Sequence, residues 1–259
     1  TLSLHDALPI FTLCIYDSAH NDFYFCNAGD NIIHYYDSHE HKKKLVKLQE
    51  TPAAGPMPSF MIEMKNGYPT NKMHFNKGDM LYLYTDGIEE AKRIYKDDAF
   101  KKVRYRPGTE RVITDKEDQD VLDGEEMSPE RVEAIIDAIM KRSRYQLVKQ
   151  KSPVSNLPDL FEFDFSTCTG TPEDVVYGLV AVEKVFRMYK IPNPTEFDTV
   201  QVDKKIDAFL KEHFVQYSQY CSEHAEHPHP NMKDEYMIYQ NLLEDEQFDD
   251  LTVAAIKIE

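Results

Sequence analysis

Gly78-Asp79-Met80-Leu81-Tyr82-Leu83-Tyr84-Thr85-Asp86-Gly87-Ile88-Glu89-Glu90-Ala91 is an apolar, β-rich run that stops at an acid-glycine turn. From Met80 to Tyr84 the residues predict a buried strand, and Asp86-Gly87 predicts the turn at its carboxyl end. A strand can hold a carboxylate still there while it faces a ligand. Asp-Gly after a strand is also a common turn, so a turn-forming role for Asp86 stands beside a ligand-binding one. The rest of the chain has to decide between them.

Outward from this stretch towards the N-terminus, a β-meander is predicted. Phe11-Thr12-Leu13-Cys14-Ile15-Tyr16-Asp17 alternates, 18–22 is a polar turn, and Phe23-Tyr24-Phe25-Cys26 begins a second strand that runs into Asn27-Ala28-Gly29-Asp30-Asn31. Strands are also predicted at Ile32–Tyr36, Lys43–Leu48, Phe60–Met64 and Lys72–Phe75, with Thr51–Pro58 as a rigid proline-rich loop. Many short strands separated by turns argue for layered antiparallel sheets. Thr1 to Ile10 resembles the translation of a sequencing-library adapter and is set aside from fold reasoning. If it is one, the natural coding sequence is expected to continue upstream.

Towards the C-terminus the character changes to a long, charged, mostly helical region. Asp97 to Asp123 is polar, with one short strand predicted near Arg111-Val112-Ile113. Ser128-Pro129 is a helix start, and Val132, Ile135, Ile136 and Ile139 recur at helical spacing in a helix expected to run towards Val148. Phe161–Phe165 alternates as a strand. Thr171-Pro172-Glu173-Asp174 places a carboxylate as in a capping box and opens a second helix through Val175, Leu179, Val182 and Phe186. Two more helices are expected, from Val202 to Tyr220 and from Lys233 to Leu243. The chain closes on Phe248-Asp249-Asp250-Leu251-Thr252-Val253-Ala254-Ala255-Ile256-Lys257-Ile258, two acids followed at once by an alternating strand. One acid trails its strand at Asp86 and the other leads its strand at Asp249. Antiparallel neighbours so arranged bring Asp86 and Asp249 to one edge of a sheet.

Composition narrows the function classes. With 259 residues, 41% apolar and 12% aromatic, the chain can bury a sizeable core. Its 46 acids against 30 bases give a net charge of −16, which disfavours nucleic acid or an anionic membrane surface as a partner and suits a cation-binding protein. Cys14, Cys26, Cys168 and Cys221 form no Cys-x-x-Cys pair and read as reduced thiols of a cytoplasmic protein. No apolar run approaches the roughly 20 residues that span a bilayer. Nine glycines, no glycine-rich phosphate loop and no Gly-x-Ser-x-Gly argue against nucleotide-binding and serine-nucleophile chemistry. Cys221 with His224, His227 and His229 has spacing that could bind zinc, but the adjacent prolines and glutamates suit an exposed linker better.

Three elements stand in order: Asn27-Ala28-Gly29-Asp30, then Thr85-Asp86-Gly87, then Asp249-Asp250-Leu251-Thr252 before the last strand. Together they resemble the metal-dependent PPM-type protein serine/threonine phosphatases, specifically the bacterial branch named for stage II sporulation protein E (SpoIIE). Gly78 to Ala91 is similar to that branch's G-D-x-L-x-L-Y-T-D-G-I-x-E-A pattern. The resemblance covers Phe11 to Ala91 and Gln247 to Glu259. It implies an α/β fold, a layered antiparallel β-sandwich flanked by helices, here without its N-terminal half. On this reading 11–93 is phosphatase sheet, 94–246 a mostly helical insertion with a regulatory or docking role, and 247–259 the final phosphatase strand.

The chemistry implied is hydrolysis of a phosphoserine or phosphothreonine in a protein, for which an anti-sigma-factor antagonist is the suggested partner. Two divalent cations, Mn²⁺ or Mg²⁺, activate the attacking water; carboxylates are the hard donors that select such ions. By resemblance Asp86 and Asp249 ligate one metal, Asp250 is a neighbouring acid or substitute ligand, and Asn27, Gly29 and Gly87 shape the loops. Where the SpoIIE branch usually has histidine, Asp30 stands here and resembles the wider PPM pattern, in which an acid holds a further, weakly bound metal. A solvated turn is the alternative for Asp30. The family's metal-bridging aspartate, in an Asp-Val-x-Gly-His-Gly-like segment, has no counterpart in this sequence. The fragment alone is therefore expected to be inactive, and the rival reading is a catalytically inactive PPM-fold interaction module.

Overall fold

The computed structural model describes residues 11–28, 33–46, 48, 51, 58–64, 67–109, 112–113, 121–149, 160–191, 193, 195, 198–221, 224–225, 236–247 and 249–259. The fold is mixed α/β with antiparallel sheets, and the chain divides into two units. The first comprises residues 1–83 and 255–259, the second residues 84–254.

Strands β1 (Phe11–Asp17), β2 (Asp22–Ala28), β3 (Ile33–Asp37) and β4 (Lys42–Val46) follow one another, then helix α1 (Ser59–Met64), β5 (Thr70–His74) and β6 (Met80–Tyr84). One sheet has the order β1-β2-β5, with Phe11 opposite Ala28 and Asp22 opposite His74. In the other, β3 lies between β4 and β6, and the last strand of the chain, Val253–Lys257, flanks β6. Phe23, Phe25, Ile33, Val46, Phe75, Leu81 and Ile258 form the core of this unit, each almost fully shielded. Burying a side chain of that size stabilises by about 1.5–3 kcal/mol. The strand expected at Phe60–Met64 is instead α1. Its methionines and glutamate are good helix formers, none of its residues is buried, and Met61 N–H donates to the Pro58 carbonyl at 2.9 Å to begin the turn.

In the second unit β7 (Lys92–Ile94) pairs with β8 (Gly124–Glu126), and helix α2 (Pro129–Met140) leads to β9 (Arg144–Val148), which pairs with β10 (Leu160–Asp164). Helix α3 (Pro172–Arg187) carries the capping box: Thr171 Oγ1 accepts from Asp174 N–H at 3.2 Å, and Asp174 Oδ2 accepts from Thr171 N–H at 3.1 Å. Then come β11 (Met188–Lys190), β12 (Thr199–Asp203), α4 (Lys204–His213), α5 (Tyr217–Tyr220), β13 (His224–Ala225), β14 (Tyr236–Gln240) and β15 (Leu242–Glu244); the closing strand beside β6 is β16 (Val253–Lys257), of which only Val253 and Ala254 belong to this unit. α2 and α4 both pack against α3 through Ile139 and Phe209, which meet at Gly178.

Three expected helices differ here. The first stops at Met140 because Arg142 takes a left-handed φ of 53°, after which Arg144 to Val148 alternate exposed and buried as a strand. Val202 belongs to β12, and the Val202–Tyr220 helix is divided into α4 and α5. Lys233–Leu243 is strand over its described part: Tyr236–Gln240 pairs with Thr199–Asp203, and Asn241, at φ 63°, turns the chain into β15. The short strand expected at Arg111–Ile113 is represented by a single bridge from Val112 to Tyr105.

Candidate metal centre

The apolar run of β6 ends at Tyr84, and Asp86–Ile88 forms a single 3-10 turn. Glu90 N–H donates to the Asp86 carbonyl at 2.8 Å, so residues four apart stand on one face of the turn. The segment 247–252 is tied to this turn by main-chain and side-chain bonds. Thr85 N–H donates to Thr252 O at 3.0 Å, Thr85 Oγ1 donates to Asp250 O at 2.7 Å and accepts from Thr252 N–H at 2.9 Å, and Gln247 Nε2 donates to Gly87 O at 2.7 Å. Gly87 is buried at the tightest point: a Cβ there would sit 2.5 Å from the Asp250 carbonyl oxygen. Glycine is required for this close approach.

The result is that carboxylate oxygens of Asp86, Glu90 and Asp249 lie within 4.8 Å of one another on exposed side chains, all in the second unit. Among the described residues no lysine or arginine pairs with any of the three. Partial burial, and then the charges of Asp86, Glu126 and Asp249, push the Glu90 carboxyl above its ordinary range. Like charges held together without a counter-cation, presented only by hard oxygen donors, fit Mg²⁺ or Mn²⁺. Two oxygens on one such ion stand at most about 4.2 Å apart, given metal–oxygen distances of about 2.1 Å, so small side-chain rotations would close this set on a cation.

Asp250 is exposed, its N–H donates to Asp249 Oδ1 at 2.7 Å, and its carboxylate is outside the group; its main-chain carbonyl is the part that braces the turn. Asn27 is buried at the end of β2 in the first unit, its carbonyl accepting from Thr51 Oγ1 at 2.7 Å. Gly29 and Asp30 lie outside the described residues, as do His227 and His229; His224 falls in β13. Cys221 is buried, and burial pushes its thiol up to about 12, the state of an inert structural cysteine. Glu90 is the group member that motif reading did not single out. Its signal was the spacing of four from Asp86.

The description of the family whose model matches residues 8–146 is Stage II sporulation protein E (SpoIIE), and the chain belongs to that family, with a PPM-type phosphatase region. The match continues past Ala91, where the motif resemblance stops. Among solved structures, the RsbU and RsbW domains of Rv1364c from Mycobacterium tuberculosis are similar at 21% identity over 31% of this chain, with a TM-score of 0.26. The chain spans 20% of that one. No curated protein matches by sequence. Among the described residues no helix is long and apolar enough to cross a membrane.

Proposed function

We propose that this region serves a metal-dependent protein serine/threonine phosphatase of bacterial signalling, with Asp86, Glu90 and Asp249 holding Mn²⁺ or Mg²⁺. The observation that carries the reading is the convergence of these three carboxylates; membership of the SpoIIE family supports it. Once bound, the cation supplies an acidified water and neutralises phosphoryl oxygens. The chain's own residues do the rest. Asp86 and Glu90 present two donors from one turn, Asp249 adds a third, and the Thr85, Gly87 and Gln247 bonds keep the segments in register. Asp250 is a substitute donor beside Asp249. A complete two-metal centre needs further ligands, for which an aspartate-glycine segment of the family type is the candidate. The substrate proposed is a phosphoserine or phosphothreonine protein such as an anti-sigma-factor antagonist. The convergence of acids favours this over a catalytically inactive module.

The test is Asp86→Asn in the full-length protein. Mn²⁺ affinity, read by electron paramagnetic resonance, is expected to fall by at least about 100-fold, given that even outer-shell changes cost 10–100-fold. Mn²⁺-dependent phosphoprotein hydrolysis is expected to fall with it. Full retention of both excludes the mechanism.

A further inference from the structure

A cavity of about 860 Å³ opens in the second unit, lined by β8 on one side and by Gln146 and Val148 of β9 on another, with Glu130 and Arg131 of α2. Among the described strands β9 pairs only with β10, so one of its edges is open. Main-chain groups alternate sides along a strand. The Ser143 carbonyl accepts from Phe165 N–H at 3.2 Å, on the β10 side, whereas the Val148 carbonyl accepts from Arg131 Nη2 at 2.9 Å, on the opposite side. Gln146 shares the parity of Val148, and its N–H and C=O therefore face the cavity.

The lining is also acidic. Its two cations form ion pairs with other acids, Lys92 with Asp123 at 2.7 Å and Arg131 with Glu125 at 3.1 Å; among the described residues Glu126 and Glu130 are in no ion pair, and Glu130 accepts from Ser128 Oγ at 2.7 Å beside the Arg131 charge. The cavity shares the β7–β8 wall with the segment that leads from Glu90: Lys92 follows Glu90 by two residues and stands opposite Glu126 in the β7–β8 register, and the charge of Glu126 is among those felt by Glu90.

We propose that this cavity takes a basic, extended segment of the phosphoprotein substrate by strand addition along Gln146, beside Asp86, Glu90 and Asp249; that the occupant is a substrate rests on the phosphatase reading. Main-chain bonds to an open edge supply affinity whatever the side chains, and the excess of acids in the lining, Asp123, Glu125, Glu126 and Glu130 against Lys92 and Arg131, selects for lysine and arginine.

The full-length protein is titrated in EDTA, by fluorescence anisotropy, with a labelled dodecapeptide alternating lysine with valine and threonine, and with its glutamate counterpart. The lysine peptide is expected to bind at least about tenfold more tightly. Gln146→Pro removes a cavity-facing N–H without touching the β10 ladder, and Glu130→Lys reverses one exposed charge. Each is expected to weaken the lysine peptide about tenfold, and Glu130→Lys to strengthen the glutamate one. Glu130→Lys keeps the test open if Gln146→Pro does not fold, and Glu126 is left intact because its charge acts on Glu90. Equal affinity for the two peptides, or binding indifferent to both variants, overturns the proposal.

With Mn²⁺ and a phosphoserine in the lysine peptide, both variants are expected to raise KM about tenfold and leave turnover of p-nitrophenyl phosphate unchanged. Selective binding without turnover of either substrate upholds the cavity and overturns the phosphatase reading. Turnover of p-nitrophenyl phosphate without peptide selectivity does the reverse.

Discussion

Asp37 shows how much one carboxylate organises. Its Oδ1 accepts from the N–H groups of His39 and Glu40, both at 2.9 Å, and its Oδ2 accepts from Lys44 Nζ at 2.6 Å, which closes the β3–β4 hairpin. The Lys44 ammonium and those N–H donors lower its pKa to about 2. A depressed carboxylate pKa contributes stability that is present above the unfolded value of about 3.9 and is lost as pH falls through the folded one. Asp37→Asn is expected to destabilise the chain by about 1–3 kcal/mol at neutral pH. It is also expected to flatten the loss of stability between about pH 4 and pH 2, as read from urea unfolding at stepped pH. At the same scale, Asp86 and Asp249 could be named from motif context, because each ends or leads an apolar strand. Glu90 stood in the same motif, but only the turn that carries Glu90 N–H to Asp86 O shows it on the shared face.

α3 is the element that local rules describe best. Thr171-Pro172-Glu173-Asp174 places the capping box, and the stripe from Val175 to Phe186 faces the core without exception at Val175, Leu179, Val182 and Phe186. Within it, local propensity and packing disagree at Gly178. Helix propensity alone credits Gly178→Ala with a gain of about 1 kcal/mol. The new Cβ would lie 2.4 Å from Ile139 Cδ1 and 3.4 Å from Phe209 Cζ, and Ile139 is fully buried, so its side chain has nowhere to swing. Overpacking wins: Gly178→Ala is expected to destabilise by about 1–3 kcal/mol in urea unfolding. β14 is the opposite case. Lys233 to Leu243 reads as helix in isolation, and β12 makes Tyr236–Gln240 a strand by pairing with it. That partner is distant in the chain, so no window of local sequence reveals it.

Across the whole molecule, the two segments that carry the acids are held by a buried ion pair in the second unit. Lys96 Nζ donates to Asp245 Oδ1 at 2.6 Å and to Oδ2 at 2.8 Å, Asp245 Oδ2 also accepts from Ile94 N–H at 2.9 Å, and Lys96 lies 4.0 Å from the centre of the Tyr189 ring. Arg187, at the end of α3, donates to the Asp245 carbonyl and pairs with Glu183 and Glu244. Asp245 precedes Asp249 by four residues, and Ile94 follows Glu90 by four, so the pair fixes where the acids meet. Lys96→Met leaves a buried carboxylate without its cation, which costs about 3–5 kcal/mol. It is expected to lower the urea midpoint accordingly and to weaken Mn²⁺ binding by calorimetry, while Asp245→Leu added to Lys96→Met recovers stability but not metal affinity.

The sequence by itself determined the alternating strands, the capped start of α3, and the Gly78–Ala91 run that lies within the SpoIIE family match, because these are properties of neighbouring residues: period, caps and turns. Tertiary structure decided which of the ambiguous segments became strands, that Glu90 joins Asp86 and Asp249, and that Lys96 and Asp245 clamp them. Each of those outcomes depends on a partner far along the chain, and the free energy of a buried ion pair or a paired strand edge exists only once the two have met.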